Sequence, residues 1–199
     1  MFSSSSVVRK AAALLTILVS IPYSSCLWPI PRSLQTGSTP IVLAKDFQII
    51  APTNTPADLD AAIVRSLSYI HNDKLQRLVV GRASADKSQV DRSKELPKLV
   101  LSLPRGVKAT SIAEEATKPL NSRSEEYTLQ VPADGSPATL SANSTLGLLR
   151  GLTTFEQLWY DLDGSATYTM EAPISIVDAP AFVSVSVDDL ESRGLISTN

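Results

Sequence analysis

An α+β domain, built as a mainly antiparallel β-sheet with two α-helices packed on one face, is the fold class this 199-residue sequence predicts. Three observations carry that expectation. Residues 127–142 read as a hairpin, which argues against an all-parallel sheet. Two separate segments, 56–71 and 144–162, repeat their apolar residues at the helical period. Each helix must bury one face, and the sheet supplies the opposing surface.

Taken in order, Leu27-Trp-Pro-Ile-Pro-Arg-Ser33 is an extended entry, its path fixed by alternating prolines, with Trp28 as a large apolar anchor. Ile41 to Ile50 is β-prone and reads as a strand. Thr55-Pro56-Ala57-Asp58 is a helix start, with Thr as N-cap and Pro at the first helical position. Leu59, Ile63, Ser66, Leu67 and Ile70 then line one helical face as far as His71. Leu75 to Gly81 reads as a second strand, residues 82–97 as a long polar loop, and Leu99 to Leu103 as a short strand stopped by Pro104. Another polar stretch runs to Glu126. Tyr127, Leu129 and Val131 alternate onto one face, Asp134-Gly135 centres a turn, and Ala138 to Ala142 returns. Ala166 to Met170 and Pro173 to Val177 complete the strands.

The second helix carries the strongest pattern. Leu148, Leu152, Phe155 and Trp159 fall on one line, widened by Leu149, Leu158 and Leu162, with Asp163-Gly164 ending the element. Gly147 and Gly151 flank that stripe at about 1 kcal/mol of helix stability each relative to Ala. Either they are tolerated, or another backbone approaches where only a residue without Cβ fits.

Residues 1–26 read as a signal peptide. Arg9 and Lys10 precede an apolar run from Ala11 to Ile21, and small residues near Cys26 mark a cleavage region. That run is too short for a bilayer core of about 30 Å, so a retained anchor is the lesser alternative and no stable membrane insertion follows cleavage. Residues 27–182 form the domain, and 183–199 a divergent tail without periodicity, expected to be disordered. The expected location is the secretory pathway, extracellular or lysosome- or vacuole-like. Cys26 is the only cysteine, so the mature domain relies on its core rather than on disulfides. A net charge of −2 and no basic stripe give no electrostatic case for nucleic acid.

Candidate chemistry is sparse. His71, the only histidine, stands in a last helical turn, where the dipole favours it, and lacks companions for a metal or a nucleophile. No phosphate-binding glycine loop occurs, and no cofactor is expected. Glu114-Glu115 and Glu125-Glu126 fall in polar stretches and Asp188-Asp189 with Glu191 in the tail, where solvated charge explains them. No catalytic residue is assigned. Asn143-Ser144-Thr145 is an N-glycosylation sequon, although Asn143 also stands beside a helix start and could serve as its N-cap or that cap's neighbour.

The segment Leu146-Gly-Leu-Leu-Arg-Gly-Leu-Thr-Thr-Phe-Glu-Gln-Leu158 resembles the G-x-x-R-G-L-E-T-F-x-Q-L signature of eukaryotic β-N-acetylhexosaminidases, glycoside hydrolase family 20. Thr153 stands where the family usually has Glu. Ala172-Pro-Ile-Ser-Ile-Val-Asp-Ala-Pro180 is similar to the family's P-I-x-I-x-D-x-P segment, and Leu27-Trp-Pro-Ile-Pro31 to the W-P-x-P at the start of mature members. The resemblance implies the family's N-terminal, non-catalytic α+β domain, whose partner is the catalytic (β/α)8 barrel of the full-length enzyme or a hexosaminidase subunit. In the family, an adjacent Asp-Glu pair in that barrel hydrolyses terminal N-acetylhexosamine with help from the substrate's own acetamido group. This sequence has no Asp-Glu dipeptide, its Arg193-Gly194 is displaced from the family's position, and 199 residues leave no room for a barrel of about 250. Two readings follow: an accessory domain cut short before its barrel, inactive alone, or a stand-alone secreted interaction module.

Overall fold

The computed structural model describes residues 27–79, 81, 84–119 and 122–179. Residues 1–26, read above as a signal peptide, the tail with its acidic cluster, and Arg193-Gly194 lie outside the described residues. In chain order the elements are β1 (Ser33–Ile50), α1 (Ala57–Asn72), α2 (Lys87–Val90), β2 (Lys94–Ser102), α3 (Ile112–Ala116), β3 (Tyr127–Val131), β4 (Ala138–Ala142), α4 (Thr145–Glu156), β5 (Tyr160–Asp161) and β6 (Thr167–Asp178). The α+β class stands, with α1 and α4 packed together on one side of a six-stranded sheet.

The sheet is mixed, which corrects the mainly antiparallel expectation. Strand order is β1-β2-β4-β3-β6-β5, with β1–β2 and β2–β4 parallel and the remaining pairs antiparallel. The reason lies in the connections. The chain crosses over from β1 to β2 through α1, and a crossover of that length permits parallel pairing. The β3–β4 hairpin then sets β4, not β3, beside β2, so β4 runs with β2. Strand β1 also pairs with β6 through Ser33–Thr36 and Ile41–Val42, so the pairings return on themselves and the sheet curls.

Helix α1 buries Leu59, Ala62, Ile63, Ser66 and Ile70, as its periodicity predicts. Its N-cap is Pro56 rather than Thr55, whose hydroxyl donates to the Pro52 carbonyl at 2.7 Å. Helix α4 starts on Ser144, whose side-chain oxygen accepts from the Gly147 N–H at 3.1 Å, and it stops at Glu156, six residues before the expected end. Leu158, Trp159 and Leu162 are still buried, but beyond the helix. Phe155, fully buried, stacks on Phe47 at 5.9 Å and meets the edge of Trp159 at 5.3 Å. Such pairs add about 0.5–1.5 kcal/mol each beyond the area they bury.

Both helical glycines are packing residues. A Cβ on Gly147 would lie 2.5 Å from the Glu126 carbonyl oxygen, and one on Gly151 would lie 2.2 Å from Leu140 Cδ1 on β4. Close approach of helix to sheet therefore offsets their cost in propensity.

Four segments depart from the sequence reading. Leu75 to Val79 is no strand: Leu75 is 62% exposed and Leu78 89%. The polar residues 82–97 contain α2 and the start of β2, and the polar stretch after Pro104 contains α3, capped by Ser111 accepting from the Glu114 N–H at 3.0 Å. The two late strands are one, β6.

Candidate functional site

The acidic pairs do not assemble a hydrolytic centre among the described residues. Glu115 is the buried residue of α3, and its carboxylate accepts from Lys118 Nζ at 2.7 Å and from the Thr110 hydroxyl. Burial pushes that carboxyl up, yet the Lys118 and Thr110 bonds outweigh it and hold its pKa below the usual value. Glu114 faces solvent. Glu125 accepts from Arg150 Nε at 2.7 Å, while its neighbour Glu126 turns away to line a cleft. His71 is exposed, its Nδ1 2.7 Å from the Leu67 carbonyl. Among the described residues no group of histidine, cysteine and carboxylate side chains could hold a metal ion.

What the fold does bring together is the set of sequence motifs. The Trp28 N–H donates to Gln157 Oε1 at 2.7 Å, and Gln157 Nε2 donates back to the Trp28 carbonyl at 3.1 Å. The Arg32 N–H donates to Asp178 Oδ1 at 3.0 Å. The entry segment 27–32 is thus pinned at one end by the residue that caps α4 and at the other by the last residue of β6. Within α4, Arg150 pairs with Glu125, Gly151 admits Leu140, and Thr154 Oγ1 lies 2.6 Å from the buried Tyr127 hydroxyl. Burial pushes Tyr127 up to about 12, so it stays a neutral phenol. Each of these side chains has a structural task. The sequence could not show that of Gln157, because its partner lies 129 residues away.

The helix side carries a partly apolar surface. Although Gln157 fixes its main chain, Trp28 leaves 80% of its surface exposed, and Ile30 leaves 77%. Gln157 also lines a cavity of about 240 Å³ with Tyr69, Ile70, Asp73, Leu75 and Trp159. Glu156 forms part of its wall and accepts from the Ser66 hydroxyl; burial raises its carboxyl more than that bond lowers it. The Trp159 Nε1–H is buried without a partner among the described residues.

The opposite face of the sheet is different in kind. The registers place Ser102, Ser141, Thr128, Val177 and Ser33 in one row across β2, β4, β3, β6 and β1. Leu140 and Ala142 point toward α4, so these alternating neighbours point away from it. This row floors a cleft of about 540 Å³, whose wall includes Glu126, Asp178 and Asn143. Asn143 is exposed, and its neighbour Ser144, rather than Asn143 itself, caps α4.

Residues 27–158 match the family model described as "beta-acetyl hexosaminidase like". The chain belongs to the β-acetyl-hexosaminidase-like family. The β-hexosaminidase subunit beta of Felis catus is 34% identical over 184 residues, 86% of this chain and 31% of that protein. The subunit beta of Mus musculus is 33% identical over 162 residues, 78% of this chain and 27% of that one. A solved Flavobacterium johnsoniae chitobiase overlays on 78% of this chain and 21% of its own, at 18% identity and a TM-score of 0.48. The chain therefore spans less than a third of the length of these hexosaminidase relatives, and its family signature lies on the scaffold just described. Among the described residues no helix is long and apolar enough to cross a membrane.

Proposed function

We propose that this chain is the accessory domain of a β-N-acetylhexosaminidase, supporting hydrolysis of terminal N-acetylhexosamine in chitooligosaccharides or glycans by docking on a catalytic barrel, and without turnover of its own. The observation that carries this reading is the presentation of Trp28. Gln157 fixes its main chain from both sides and also lines the cavity rimmed by Tyr69 and Leu75, yet the Trp28 side chain stays 80% exposed. A large exposed aromatic whose main chain is fixed is the anatomy of an interface anchor. The barrel is the partner the family supplies. We further place the protein in the secretory pathway, on the Arg9–Lys10 and Ala11–Ile21 pattern at the start of the sequence.

The purified chain, offered a chromogenic N-acetylglucosaminide, should give no turnover above blank. Clear hydrolysis would overturn the reading.

A further inference from the structure

We propose that Asn143 carries an N-linked glycan attached before the β4–α4 junction folds; this rests on the secretory reading above. The competing roles for Asn143 were to cap α4 or to stand beside that cap, and the fold gives it the second, in which its side chain does no capping. Ser144 is the N-cap, and the Asn143 amide makes no hydrogen bond among the described residues, so nothing in the packing asks for asparagine there. The sequon pattern is then what remains to account for it. Its side chain is exposed in the wall of the 540 Å³ cleft on the sheet face turned away from the helices. A glycan has room there, and no residue of that wall lines the cavity that Gln157 shares with Tyr69 and Leu75.

The order of events follows from the other two sequon residues. Thr145 is 1% exposed and its hydroxyl donates to the Thr110 carbonyl at 2.8 Å. Ser144 is 6% exposed, its hydroxyl donating to the Ser124 carbonyl while accepting from Gly147. A transferase reads a sequon through the hydroxyl two residues after the asparagine, and in the folded chain that hydroxyl is buried at the start of α4 against the Thr110 carbonyl. Transfer must therefore precede the docking of α4. In the step itself the Asn143 amide nitrogen forms a bond to the anomeric carbon of a lipid-pyrophosphate-linked oligosaccharide. The lipid pyrophosphate leaves and the amide loses one proton.

The test is production of the full chain in eukaryotic secretory cells, once with its own first 26 residues and once with a heterologous cleavable signal in their place. Peptide mass spectrometry of the secreted product should find Asn143 occupied, and Asn143→Gln should remove the glycosidase-sensitive mobility shift while leaving the thermal midpoint of the deglycosylated chain unchanged. Secretion only with the heterologous signal would contradict the secretory reading alone, while occupancy there would still support the site. A secreted chain with bare Asn143 overturns the site. Purified oligosaccharyltransferase should modify a synthetic peptide covering 140–148 and leave the folded, unglycosylated chain unmodified. Equal modification of both overturns the proposed order.

Discussion

Gln157 and Trp28 exchange two hydrogen bonds across 129 residues of sequence, so the residue that ends α4 holds the main chain at the entry to the domain. With Asp178 receiving the Arg32 N–H, the three family motifs become one physical object. Gln157→Ala removes both Trp28 bonds at a partly exposed site, with an expected loss of about 1 kcal/mol. Urea unfolding should show that modest loss, and limited proteolysis should cut the 27–32 segment faster than in the parent chain.

Gly147 and Gly151 should respond differently to alanine. At Gly147 the new methyl meets a backbone oxygen and the Ala142 Cβ, at 2.5 and 2.9 Å, neither of which can swing away. Overpacking of this kind costs about 1–3 kcal/mol, only partly offset by the gain in helix propensity of about 1. At Gly151 the obstacle is the end of the Leu140 side chain, 2.2 Å away, which can change rotamer at some cost to the core. Gly147→Ala should therefore lower the denaturation midpoint more than Gly151→Ala. Gly151→Ala combined with Leu140→Ala should cost less than the sum of the two single changes.

Thr154→Val leaves the Tyr127 hydroxyl buried without its partner, at about 1–3 kcal/mol. Adding Tyr127→Phe removes the orphaned group and should recover part of that loss. A double-mutant cycle with no coupling between the two positions would contradict the pairing.

Glu156 supplies a pH signature. Burial raises its carboxyl in the folded chain above the unfolded value of 4.5, so the folded chain binds this proton more tightly than the unfolded one. Its ionised form is a cost at neutral pH, and that cost fades as pH falls through the folded pKa toward 4.5. Glu115 runs the other way: its contribution is present above 4.5 and is lost as pH falls through its lowered folded pKa. Glu156→Gln should raise the urea midpoint at pH 7 and converge on the parent chain near pH 4.5. A pH-independent difference would contradict the assignment.

How much of this was legible follows from which signals are local. The β3–β4 hairpin and the buried faces of α1 and α4 were readable because Leu129, Leu140, Ile63 and Leu152 repeat at the period of their own element. Leu75 to Val79 misled because an apolar run predicts burial only where a surface waits to cover it. Here the segment is tied by polar groups instead: Lys74 to Asp161, Gln76 to Asp163 and Arg77 to Asp86. The first half of β1 was missed because Ser33 to Thr39 are mostly exposed and carry no alternation. The parallel pairings depend on which strand lies beside which, and no residue records that alone. The exposed surface at Trp28 had one sequence mark, Trp28 itself, recognised as an anchor without its clamp.

The docking claim is tested most directly by co-expressing this chain with a β-hexosaminidase relative from which the matching N-terminal segment has been deleted. Co-purification and restored hydrolysis of an N-acetylglucosaminide are the expected result. Trp28→Ala with Leu75→Ser should reduce the recovered complex at least tenfold, while Gln130→Ala on the outer sheet face should leave it unchanged. Equal recovery with the Trp28 and Leu75 changes, or loss with Gln130→Ala, would contradict the account.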